Sequence, residues 1–184
     1  MDAKLFLRDT FDREAERSKR ALEHIPADGD HYVWRPHDRA MYFGYLAEMV
    51  ATIPMWITMQ LTGDELDIMP EGGSSMTRES HRTRDALLRA LEESTAKARQ
   101  AFDAISEERL GSEWTLKARG TAVQANTRSA MIQDTLLHWA HHRGQLTVYL
   151  RLLGASVPAL YGPSGDDRSF GPGSVPGAER PAGD

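Results

Sequence analysis

The sequence predicts an all-α protein, a four-helix bundle followed by a Gly/Pro-rich tail. Three observations carry that expectation. Four long segments place apolar residues in steps of four and three, the spacing of one helix face. No alternation of strand-like and helix-like stretches runs along the chain, which argues against a nucleotide-binding α/β sheet, and no repeat of fixed period is visible. Beyond Tyr161 nearly half the residues are Gly or Pro, with few apolar side chains to bury.

The first helix is expected over residues 2–25. Leu5, Phe6, Phe11, Ala15, Ala21, Leu22 and Ile25 lie along one side, while Arg13, Glu14, Glu16, Arg17, Lys19 and Arg20 populate the other. Pro26 and the ADGD run end it. The link HYVWRPHD is too aromatic for a floppy loop, so Trp34 is expected to cap one end of the core. A second helix spans residues 38–61, apolar over most of its circumference through Tyr42, Leu46, Met49, Ile53, Trp56 and Gln60 with Phe43, Val50, Ile57 and Leu61 beside them. Pro54 lacks an N–H, so the carbonyl of Val50 loses its helical donor and a bend or local widening follows.

Residues 62–76 read as a linker, with a turn over 62–67. Ser75 or Thr77 can cap a third helix whose stripe Leu87, Leu91, Thr95, Ala98, Phe102 and Ile105 lasts to about residue 106. Residues 113–125 alternate weakly around Arg119-Gly120, which fits a small hairpin or an irregular excursion. The fourth helix starts near Asn126 or Thr127 and runs to Leu153, with Gly154 as its stop. The expected organisation is one domain over residues 1–161 and a flexible tail over 162–184.

Composition narrows the function. A net charge of −5 without a basic block gives no reason to expect attraction to nucleic acid or an anionic membrane. No apolar run is long enough to span a bilayer, and the charged N-terminus does not read as a signal peptide, so a cytoplasmic protein is expected. The chain has no cysteine, which excludes a disulfide framework, a thiolate zinc site and a cysteine nucleophile. Any thiol chemistry would need a small-molecule thiol.

The chemically informative stretch is residues 134–154, DTLLHWAHHRGQLTVYLRLLG. Met131, Thr135, His138, His142, Gln145, Tyr149 and Leu152 form one helical stripe, so His138 and His142 lie one turn apart on a face expected to meet the core. Two imidazoles at i, i+4 can reach one divalent ion from a rigid backbone.

The run HWAHHRGQLTVYLRLLGASVPALYGPS from residue 138 resembles the C-terminal signature of the DinB superfamily of bacterial four-helix-bundle proteins. WRPHDRAMYFGYLAEMVATIPMW followed by DELDI is similar to that family's second helix and the turn after it, and the resemblance covers residues 2–164. It implies a metal site of three histidines, one on the second helix and two on the fourth. His138 and His142 match the pair. The third position is occupied by Met49, whose neutral thioether does not replace imidazole for zinc or nickel. The implied metal site is therefore degenerate, with zinc or nickel held weakly or not at all.

Other groups are candidates around the pair. Asp134, one turn before His138, is placed to orient that ring rather than to reach an ion. Tyr45, Gln145, Tyr149 and Met49 are candidates to line the same cavity, and the space beside Pro54 is the expected cleft. Glu48 and His141 point about 100° away from the stripe and read as salt-bridging or surface residues. His24, His31, His37 and His81 fall outside the pattern.

Three functions are compatible with these residues. The first is a small-molecule binding or transferase role, thiol-related in the light of the resemblance, without a tightly bound metal. The second is a divalent-metal-dependent thiol transferase or hydrolase, and the third a non-enzymatic interaction bundle. The resemblance also implies a homodimer.

Overall fold

The computed structural model describes residues 2–27, 29–71 and 82–167. Helix α1 (Ala3–Glu23) starts at Asp2, whose carboxylate accepts from the Leu5 N–H at 2.8 Å. A short 3₁₀ turn at His31–Val33 follows, and Trp34 packs edge-on against Tyr149, closing one end of the core as expected.

The second helix begins five residues later than its periodicity suggests and comes in two pieces, α2 (Phe43–Thr52) and α3 (Pro54–Thr62). Ile53, between the pieces, keeps helical angles (φ −50°, ψ −33°), so the break is confined to one residue. The two carbonyls around the break find side-chain donors: Trp139 Nε1 donates to Val50 O at 2.7 Å and Ser94 Oγ to Ala51 O at 2.8 Å. The late start has a local cause, since Trp34 O accepts from the Phe43 N–H at 2.8 Å and holds residues 35–42 outside the helix.

Residues 65–67, read above as part of a turn, form strand β1 (Glu65–Asp67). It pairs in parallel with β2 (Glu113–Ala118), which pairs antiparallel with β3 (Thr121–Thr127). A three-residue strand is specified by its partner rather than by its own pattern, which is why local reading missed it. The hairpin is regular except for a shift at Leu116/Lys117, and its two-residue turn places Arg119 (φ 52°) and Gly120 (φ 75°) in left-handed conformations, as a tight hairpin requires. The Asp67 carboxylate accepts from the Arg119 and Gly120 N–H groups at 3.1 and 2.6 Å, tying β1 to that turn.

Helix α4 (Arg84–Ala104) is capped by Thr83; Ser75 and Thr77 lie outside the described residues. After the single-turn helix α5 (Glu107–Leu110) and the hairpin, α6 (Arg128–Leu152) is capped by Thr127 and ends before Gly154 (φ 75°).

The bundle consists of α1, the α2–α3 pair, α4 and α6, with α4 and α6 each packed against the other two. Phe11, Phe43, Val50, Ile57, Phe102, Ile132, Trp139 and Leu146 are fully buried at its centre. Two arginines of α6 are also fully buried. Arg128 reaches the carbonyls of Gln60 and Gly63 at the end of α3 and pairs with Asp64 at 2.8 Å. Arg143 pairs with Glu14 of α1 and reaches the hydroxyls of Ser18 and Tyr161.

The C-terminal segment returns along the bundle through Tyr161, through Asp166 on Arg151 at 2.6 Å and through Asp167 on Arg20 at 3.1 Å. Residues 168–184, the rest of the segment read as tail, lie outside the described residues. Among the described residues no helix is long and apolar enough to cross a membrane.

Candidate functional site

The site is built on one turn of α6. His138 and His142 face each other with Nε2 to Nε2 at 3.1 Å, and their ring planes meet at 81°. His142 is buried, and its Nδ1 bonds to Gln145 Oε1 at 3.0 Å. With the amide oxygen as acceptor, Nδ1 carries the proton and the lone pair of His142 Nε2 points at His138. His138 is half-buried and stacks on Trp56 of α3, with ring centres 5.6 Å apart and planes within 17°. Facing lone pairs at this distance repel unless a proton or a cation lies between them. A proton on His138 Nε2 makes the contact a hydrogen bond; a cation makes it two coordinate bonds.

Burial lowers both histidines' pKa, each ring also meeting the charge of its neighbours, His142 and His141 for the first and His141 for the second; the Gln145 bond opposes part of the shift at His142. Both rings are therefore neutral at pH 7, the form that can accept a proton or bind a metal.

The geometry also bears on a divalent ion. Two nitrogens each about 2.05 Å from one zinc lie about 2.9 Å apart at a right angle and about 3.3 Å apart at the tetrahedral angle. The observed 3.1 Å falls between these limits. The pair thus fits as two adjacent ligands. A third is missing from the donor set: among the described residues no group of three or more His, Cys, Asp or Glu is placed to hold one ion. Met49 is a partly buried α2 residue packed against the core. The described residues do not make a complete zinc or nickel site.

His138 borders a cleft of about 270 Å³ between α3, α6 and the sheet. Its walls are mainly apolar: Trp56, Leu66, Ile68, Trp114, Leu116 and Met131, with Gln60, Gln124, Asp134 and Thr135 adding polar atoms. The sheet is thus a wall of the cleft as well as an excursion from the bundle.

The sequence candidates are distributed as follows. His138, His142 and Gln145 come together as one hydrogen-bonded group. Asp134 borders the cleft but is exposed, and its carboxylate accepts from Gln124 Nε2 at 3.3 Å; the orienting bond on the pair comes from Gln145 instead. Tyr149 points to the other end, donating to Met41 O at 3.1 Å, and Tyr45 is half-buried on α2. The cleft wall contains none of Met49, Tyr45, Gln145 and Tyr149, nor Pro54. Glu48 is half-buried, His141 is exposed with its ring 5.3 Å from that of His142, and His81 lies outside the described residues.

Sequence reasoning missed Trp114, Gln124 and the stacking role of Trp56. The first two sit on the β2–β3 hairpin, whose weak alternation suggested the strands but not which side chains face a cleft. It also missed buried Arg143, for which a signal existed: Ile132, Leu136, Trp139, Arg143, Leu146 and Leu150 share one four-three stripe.

Fold and site together define a class: a four-helix bundle that presents a helix-borne histidine pair at the edge of an apolar cleft. The sequence matches the model of the DinB family over residues 5–172, and the chain belongs to that family. The structure is similar to that of a DinB-like protein from Bacillus subtilis, at 19% identity over 82% of this chain and 92% of that one, with a TM-score of 0.60. A DinB-like protein from Bacillus cereus ATCC 10987 gives 15% identity over 84% and 95% of the two chains and a TM-score of 0.64. A protein assigned to the DinB family from Exiguobacterium sibiricum 255-15 gives 14%, 85%, 95% and 0.63 in the same order. No curated protein matches the sequence.

Proposed function

We propose that this chain binds a small, mostly apolar molecule in the cleft between α3, α6 and the sheet. The neutral His138–His142 pair exchanges a proton with that molecule, and a divalent ion is held weakly or not at all. One observation carries the reading: His138 both borders the cleft and joins His142 through Nε2. A proton accepted by His138 can be shared with His142, whose Gln145 bond keeps its far nitrogen protonated and its near one free. A small thiol is a suitable acid for this pair, since a free thiol titrates at about 8.5, roughly two units above an unperturbed imidazole.

The 3.1 Å spacing favours a second reading, in which the pair is two-thirds of a metal site and substrate or water supplies the rest. Elemental analysis of protein purified without a histidine tag separates the two, with calorimetric titration of zinc and nickel into the same material. The expected result is substoichiometric metal and weak binding, strengthened at least tenfold in Met49→His, where a third imidazole joins. Stoichiometric zinc or nickel in the natural sequence overturns the first reading in favour of the second. For the ligand, thermal shift with small thiols as one arm should stabilise the natural protein and not His138→Leu.

A further inference from the structure

Among the described residues, two buried polar atoms on residues that line the cleft have no partner. Trp114 is 2% exposed and its indole Nε1–H, a donor, meets no acceptor; Gln60 is 4% exposed and its Oε1, an acceptor, meets no donor. Both residues line the cleft that His138 borders. The rest of the Gln60 amide is committed, because Nε2 donates to Thr135 Oγ1 at 2.8 Å and to Met131 O at 3.3 Å, so the side chain cannot turn over to bury its oxygen elsewhere. Thr135 Oγ1 in turn donates to Met131 O, which completes the local pattern and leaves Oε1 as the odd atom. Buried groups of this kind are costly when unpaired, and two of opposite type on the α3 and β2 sides of one apolar cleft are the complement of a ligand carrying both a donor and an acceptor.

Charge narrows the class further. Among the described residues that line the cleft, Asp134 is the one carboxylate and there is no lysine or arginine. Arg128, the nearest buried cation in sequence, is spent on Asp64 and the carbonyls closing α3. An anionic head would meet a carboxylate and no counter-charge.

We infer that the cleft recognises an uncharged amide: a planar unit whose N–H donates to Gln60 Oε1 and whose carbonyl accepts from Trp114 Nε1–H, with an apolar body lying against Trp56, Leu66 and Leu116. This rests on the cleft being the ligand site proposed above and names the chemistry of what enters it. It discriminates against the carboxylate of the same shape, and it leaves the histidine pair free to act on another part of the molecule.

The test uses the isosteric pair 3-phenylpropanamide and 3-phenylpropanoate, titrated into the whole protein and followed by NMR. The amide is expected to bind at least about tenfold more tightly than the carboxylate, and to shift the Trp114 indole N–H signal downfield. Trp114→Phe is expected to lose about tenfold in amide affinity and leave that of n-propylbenzene unchanged. Should the variant not fold, the indole signal of the natural protein decides alone.

Equal affinity for amide and carboxylate, binding that leaves the indole signal in place, or no amide binding at millimolar concentration each overturns the inference. The proposed function fails on a different readout, when the ring signals of His138 and His142 respond to no ligand of the cleft at all.

Discussion

The indole of Trp139 donates to the carbonyl of Val50 across 2.7 Å, filling the bond that Pro54, four residues on, has no hydrogen to make. A side chain of α6 thereby completes the hydrogen bonding of α2, and the proline break is locked to the helix that carries the histidines. Trp139→Phe should destabilise the protein by about 1–3 kcal/mol in chemical denaturation, since a buried acceptor is left bare. In a Pro54→Ala background the main-chain N–H returns, so the same change should cost measurably less. Equal costs in both backgrounds would show that the indole bond does not substitute for the missing one.

Protonation should act against the fold. Burial is the largest cause lowering the pKa of His31, His138 and His142 below 6.5. The unfolded chain therefore binds more protons than the folded one between the depressed values and 6.5, and stability rises with pH through that window. It is fully present above about pH 6.5 and declines as pH falls below it. Urea denaturation midpoints measured from pH 7.5 to 5.0 should drop, and the drop should shrink in a His138→Gln, His142→Gln double variant.

Arg143 and Glu14 form a buried ion pair to which Tyr161 is also bonded. Burial pushes the Glu14 carboxyl up, but the Tyr161 hydroxyl, Arg143 and Arg17 together outweigh it and hold it below its ordinary value. Arg143→Met should cost about 3–5 kcal/mol, because it strands a buried carboxylate. The double change with Glu14→Met should cost less than the sum of the single ones. Additive losses in a double-mutant cycle would mean the two groups do not interact.

The sheet wall should be adjustable through one residue. Asp67→Ala frees the Arg119 and Gly120 amides that its carboxylate now holds. Hydrogen exchange at those amides should accelerate. Ligands of the cleft should bind more weakly, since Leu66 and Leu116 sit on the strands that Asp67 fastens together. Unchanged exchange would place the anchoring of the turn elsewhere.

How far these features were legible in the sequence depends on the distance over which each is decided. The facing of His138 and His142, the cap at Thr127, one of two residues offered for it, and the stop at Gly154 follow from residues within one or two turns, and local pattern showed them. The hairpin was half legible, because Arg119-Gly120 announces a turn but not which strands flank it. Strand β1 and the partner of the Val50 carbonyl were not legible, because residues some 50 to 90 positions away decide them. The cleft belongs to the second group: its walls come from five separate stretches of chain, so Met49, Tyr45, Gln145 and Tyr149, named around the histidine pair, do not line it.

Arg143 follows His142 directly in the chain, and its guanidinium can reach Glu14, Ser18 and Tyr161 from one rotational setting of α6 only. A slip of one residue would turn the helix by about 100° and drag that charge into hydrocarbon. The arginine therefore works like a key in a keyway. It sets the angle at which the neighbouring imidazole is presented, so a change at Glu14, on a different helix, should alter how His142 meets His138.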